Sequence, residues 1–149
     1  MLTYMRNKLV SIETPAENIF VAYGFLDDHI YSLEITFQVN GTDMTIAWLK
    51  GHWNRYTTPD CPRALDPLQG AVGLCLADEG FSQSIHRIVG RKACRHFANL
   101  ILECCDAIVK TRHMIENPEE TPENDMESSI TASKGPDTAN VAPRRIKKN

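Results

Sequence analysis

Thiols and imidazoles are the side chains of this sequence best suited to chemistry near neutral pH, and two stand close together in Cys94-Arg95-His96. A thiolate is a nucleophile or a soft metal ligand, and a nearby imidazole can take its proton or help it hold a metal. Geometry sets a condition on the pair. Two residues along a regular helix differ by about 200° of rotation, so they converge only if Cys94 lies at or before the first turn. Gly90-Arg91-Lys92 permits a helix entrance there, and a helix N-terminus with two neighbouring cations favours the thiolate. The opposing expectation is that Cys94 packs as a small apolar residue while His96 faces water.

A second thiol, Cys61, sits in the loop Pro59-Asp60-Cys61-Pro62, where Pro62 fixes the turn and removes a donor. That setting suits a rigid ligand or a nucleophile better than a core residue. Asp27-Asp28-His29 reads first as turn chemistry, yet with His86 it supplies the nearest additional oxygen and nitrogen ligands. Cys104 and Cys105 follow Cys94 by about 15 Å of helical rise, too far to share its ligand, and Cys104 reads as core. His52 has no evident partner. No Gly-rich phosphate loop, nucleophile elbow or His-Glu-x-x-His motif occurs.

The elements that must position these residues begin with a sheet. Tyr31, Leu33, Ile35, Phe37 and Val39 alternate with Ser32, Glu34, Thr36 and Gln38, the period of a strand with one buried face. Asn40-Gly41 follows, a dipeptide suited to the positive φ angles of a tight hairpin, and alternation resumes at Met44, Ile46 and Trp48. Ile19, Val21, Tyr23 and Phe25 mark an earlier strand. Residues from about Leu2 to Ile12 add another, ended by Thr14-Pro15.

After Trp53 the character changes. Tyr56 to Pro67 reads as loop, interrupted by three prolines. Leu65, Leu68 and Val72 have the spacing of a short helix stopping at Gly73, and Phe81 to Val89 that of a second closed by Gly90. From Lys92 to about His113 the pattern is helical throughout. Ala93, Phe97, Leu100, Ile101, Cys104 and Ile108 form one stripe, with Arg95, Asn99, Glu103, Asp106 and Lys110 facing away. The expected fold class is α+β: a three- to four-stranded antiparallel meander followed by helices packed on one face, ending in one long helix. Residues 1–115 are expected to form a single domain and 116–149, rich in Pro, Glu, Ser, Thr and Asn, a disordered tail ending in a basic cluster.

Bulk composition narrows the function classes. A length of 149 residues suits one domain, and a net charge of −3 gives no global field toward nucleic acid or anionic lipid. No apolar run is long enough to cross a bilayer, and the first residues lack the apolar stretch of a secretory signal, so the expectation is cytoplasmic. In a reducing compartment the five cysteines are expected to be thiols.

From about Tyr23 to Val109 the chain resembles a bacterial family of uncharacterised proteins, domain-of-unknown-function family 2889. Carrying the likeness are Gly24-Phe25-Leu26-Asp27, the Leu33–Val39 strand, Cys61, Leu68, Gly73-Leu74, Gly80-Phe81, and Gly90 followed by Cys94-Arg95-His96. The family's usual Gly-Cys-Thr-His-Leu becomes Ala93-Cys94-Arg95-His96-Phe97 here, and the longer insert after its Leu-x-Asp turn is missing. The resemblance brings no established activity.

A second likeness is architectural. The layout resembles the N-terminal NifU type of iron–sulfur cluster scaffold, with a thiol after the last strand and a His/Cys pair entering a late helix. That likeness puts Asp27 near the position of a further scaffold cysteine. The missing thiol disfavours a labile cluster and implies a zinc or iron site built from Cys61, Cys94, His96 and Asp27. Three functions are therefore expected to compete. One is a metal-binding or scaffold-like protein, and another a thiol enzyme using Cys94 or Cys61 with His96. The third is a non-catalytic accessory subunit, docked on a protein partner or larger enzyme complex, with neither membrane nor nucleic acid as partner.

Overall fold

Alternating β-branched and aromatic residues build four strands in the computed structural model, which describes Met1 and residues 3–120. They are β1 (Arg6–Ala16), β2 (Ile19–Asp28), β3 (Ser32–Asn40) and β4 (Thr45–Arg55). Each pairs antiparallel with the next, in the order β1-β2-β3-β4. The expected α+β meander is the observed one, with four strands.

The strands depart from expectation in three places, each for a packing reason. β1 starts later than Leu2 and runs through Thr14-Pro15 to Ala16, with its register shifted between Glu13 and Ala16. An edge strand with a bulge tolerates a proline that a central strand would not. In β2 the inward face is not the Ile19-Val21-Tyr23-Phe25 set. Phe20, Ala22 and Leu26 join the core, while Tyr23 is exposed. Gly24 lies on that inward face, where an added Cβ would stand 2.8 Å from Cys104 Sγ and 2.9 Å from Leu100 Cγ. Small residues let the last helix approach the backbone.

The third departure is the β3–β4 turn. Asn40 pairs with Thr45, so the loop is Gly41 to Met44 and the positive φ falls on Met44 at 56°. Asn40 Oδ1 accepts from Thr42 N, and Asp43 Oδ1 accepts from Thr45 N and Oγ1. Gly41 is needed for space, since a Cβ would come within 2.7 Å of Phe20 Cε2.

The expected loop after β4 contains a short helix, α1 (Asp60–Arg63), and a 3₁₀ turn at Asp66–Ala71 stands where a helix stopping at Gly73 was expected. The second short helix, α2 (Phe81–Ile85), is not closed at Gly90. It runs directly into a π-helical turn at His86–Gly90 and remains helical through Lys92. The chain breaks at Ala93-Cys94, and the long helix α3 spans Arg95–Glu116.

One face of α3 buries Phe97, Leu100, Ile101, Cys104 and Ile108 in a core with Leu33, Ile35, Phe37, Leu68, Ile85 and Val89. Each such large apolar side chain contributes about 1.5–3 kcal/mol. The other sheet face leaves Leu9, Tyr23 and Trp48 exposed. Met1–Glu116 forms one compact unit. A 3₁₀ turn follows at Pro118–Glu120. The expected tail and its basic cluster lie outside the described residues from 121 onward. Among the described residues no helix is long and apolar enough to cross a membrane.

Candidate functional site

The break before α3 satisfies the condition for Cys94 and His96 to meet. Ala93 N donates to Val89 O at 2.8 Å, closing the preceding helical run, and the Cys94 carbonyl accepts from Ala98 N at 3.1 Å, opening α3. Cys94 thus stands at the helix entrance, outside the 100° repeat that would have sent the two side chains apart. Its Sγ lies 3.6 Å from His96 Nδ1. Both residues are half-buried: Cys94 packs against the edge of the core, as the opposing expectation had it, while the imidazole is not fully exposed.

An aromatic chain holds the imidazole. The His96 ring centroid lies 4.4 Å from that of Tyr31, and Trp53 joins Tyr31 at 6.1 Å to Phe97 at 5.1 Å. Tyr31 arrives from the residue just before β3, Trp53 from near the end of β4 and Phe97 from the first turn of α3. Burial, together with the Arg6 and Arg95 charges, outweighs the attraction of Asp28 and holds the His96 pKa below its ordinary value. The ring is therefore neutral at pH 7. With its proton on Nε2, Nδ1 is free to accept from the Cys94 thiol.

Asp28 fixes the strand ends around this ring. Burial opposes its charge, but hydrogen bonds outweigh burial and bring its pKa down to about 2. Its Oδ1 accepts from Tyr31 N at 2.6 Å and Ile30 N at 2.8 Å, and its Oδ2 from Arg6 Nη2 at 2.7 Å and Nε at 3.0 Å. Arg55 also donates to the Asp28 carbonyl. The turn reading of Asp28 thus holds, yet the same carboxylate anchors Arg6 across from β1. Arg6, Tyr31 and Trp53 were not singled out as site residues from the sequence, and Asp28 was named there as turn chemistry and as a spare oxygen ligand rather than as an anchor for Arg6 and Tyr31. The signal for Asp28 was present in the Asp27-Asp28 pair, whereas nothing in the sequence connects Arg6 to it.

The remaining expected ligands are engaged elsewhere. Asp27 Oδ1 accepts from Arg55 Nη2 at 2.8 Å. Cys61 Sγ lies 3.5 Å from Thr58 Oγ1. Burial pushes the Cys61 thiol up, and the Thr58 side chain with the Thr58 and Thr57 backbone more than offsets it, leaving the pKa below the ordinary value. Among the described residues, no group of three or more His, Cys, Asp or Glu side chains is arranged to hold a metal ion. Cys104 and Cys105 are buried, and burial pushes Cys104 up to about 12 and Cys105 higher still, so both are inert thiols. His86 lies apart, on the π-helical turn, lining a surface cavity with Arg87 and Arg91.

A four-stranded antiparallel meander covered on one face by helices, with a thiol and an imidazole meeting at the entrance to the last, defines the class. The chain belongs to the family described as "Protein of unknown function (DUF2889)", whose model matches residues 20–110. Cys61, Cys94 and His96 all fall within the matched span. No curated protein and no solved structure matches the chain, so the likeness to iron–sulfur scaffolds finds no support.

Proposed function

We propose that the chain is a thiol-dependent protein in which Cys94 is the nucleophile and His96 its proton acceptor. The carrying observation is the 3.6 Å approach of Cys94 Sγ to His96 Nδ1 at the entrance to α3. A neutral imidazole takes the thiol proton as the sulfur attacks an electrophilic centre, and the positive end of the helix dipole favours the developing thiolate. Tyr31 packs against the ring and limits its rotation, and Asp28 holds the Tyr31 backbone in turn.

A second reading rests on the same distance. Two ligands at about 2.3 Å (sulfur) and 2.0–2.1 Å (nitrogen) around a tetrahedral zinc stand about 3.5 Å apart. Cys94 and His96 would then be two ligands of a zinc or iron site, with Cys61, Asp27 or a second molecule supplying the others. That reading requires the Cys61 loop to move, because Cys61 is held by Thr58.

One experiment separates the two. Full-length protein is treated with iodoacetamide at pH 7, with and without zinc, and labelling is followed site by site by mass spectrometry. Cys75 is the internal reference, equally half-buried but bonded to the Asp43 carbonyl rather than to an imidazole. The thiol reading expects Cys94 to label about tenfold faster than Cys75, with zinc making little difference. Stoichiometric zinc that blocks Cys94 supports the metal reading instead. Labelling of Cys94 at the Cys75 rate with no zinc effect sinks both.

A further inference from the structure

Between Phe81 and Leu102 the sequence has no Asp or Glu, yet Arg87, Arg91, Lys92 and Arg95 all fall there, in a chain of net charge −3. This segregation is not repaired by ion pairing. Arg6, Arg55, Arg63 and Arg112 each meet a carboxylate. Arg87 and Arg91 have no ion pair or hydrogen-bonding partner among the described residues. Gly80, the adjacent Gln83 and Ser84, Arg87 and Arg91 recur at three- and four-residue spacing, which aligns them on one side of the run from α2 into the π-helical turn. With His86 they line a cavity of about 590 Å³.

We propose that this cavity binds a phosphorylated small molecule of about nucleotide size. Its side chains offer two guanidinium forks, a hydroxyl, an amide and an imidazole, and no carboxylate competes for them. Planar forks match phosphate oxygens in pairs, which a scattered set of lysines would not. The volume falls within the range of about 300–1,000 Å³ found for small-ligand sites. The opposite side of the same helical run is pinned by Phe81, Ile85 and Val89, all buried in the core, so the donors stand on a fixed backbone. The wider π turn is a further mark, since such turns are rare and concentrate at functional sites. None of the cavity's residues belongs to the Cys94–His96 pair, so the two readings stand or fall separately.

The test is calorimetric titration of the full chain with ADP and with inorganic pyrophosphate at constant ionic strength. Saturable binding tighter than about 1 mM is expected for at least one of them, and the tighter of the two identifies an organic or an inorganic source. The double variant Arg87→Ala/Arg91→Ala, both positions exposed, is expected to weaken binding by at least about tenfold with an unchanged melting temperature. Arg63→Ala/Lys110→Ala removes two charges elsewhere and is expected to bind as the parent does. Absence of binding by both probes would overturn the proposal. So would an equal loss in the control variant, or binding confined to single-stranded RNA or to an acidic peptide.

Discussion

Among the described residues Asp28 carries the heaviest electrostatic commitment, because a carboxylate that is 1% exposed is kept charged by two backbone amides and one guanidinium. Its pKa of about 2 lies below the ordinary 3.8. A carboxyl depressed on folding contributes stability above its unfolded value and loses it as pH falls through the folded one. The contribution of about 2 kcal/mol is thus complete above about pH 4 and fades toward pH 2. Asp28→Asn keeps an acceptor for the amides but presents an NH₂ group to Arg6. Urea unfolding is expected to show a loss of about 2–3 kcal/mol at pH 7 and a flatter acid limb between pH 4 and pH 2. An unchanged acid limb would show that Asp28 is not the group responsible. The same variant removes the charge that raises the His96 pKa, so it reaches the site as well as the fold.

At the scale of elements, the site depends on how closely α3 sits against β2. Gly24 is a point of close approach, and Gly24→Ala would drive a methyl into Cys104, Ile35 and Leu100 together. Overpacking of this kind costs about 1–3 kcal/mol, and thermal melting is expected to register it. A melting temperature equal to the parent's would mean that the helix can shift freely. This seam also explains what the sequence concealed. The period of β2 was legible, but its most apolar-looking set, Ile19-Val21-Tyr23-Phe25, is not the face that packs on the helix. Ala22 and Gly24 are inward because a helix needs room, and room leaves no hydrophobic signal. Asn40-Gly41 misled in the same way, its glycine serving the Phe20 ring rather than a positive φ. The break at Ala93-Cys94 has no proline or glycine of its own, so the helical pattern reads as continuous from Lys92, and only Gly90-Arg91-Lys92 permitted the entrance that brings Cys94 to His96.

Across the whole molecule, the order of strands and helices was legible because local periodicity and short connections determine a meander. The ligand set was not. Asp27, Cys61 and the Cys94–His96 pair come from three separate segments, and proximity between such segments depends on loop paths that composition does not encode. Asp27 turns to Arg55 and Cys61 to Thr58, so only the locally adjacent pair is joined. The same long-range geometry supplies what sequence spacing could not suggest. Arg6 from the edge strand, Tyr31 from the turn before β3 and Trp53 from β4 converge on the ring of His96, directly or through one another.

The pairing of Cys94 with His96 is tested most directly by the rate at which Cys94 is alkylated in the parent and in His96→Gln. At pH 7 the parent is expected to react about tenfold faster, because only it has a neutral imidazole to take the proton. The ratio should fall toward one as the pH drops below the lowered pKa of His96 and the ring becomes charged. Cys61, governed by Thr58, should react alike in both proteins and serve as the internal control. Equal Cys94 rates in the two proteins at every pH would contradict the account.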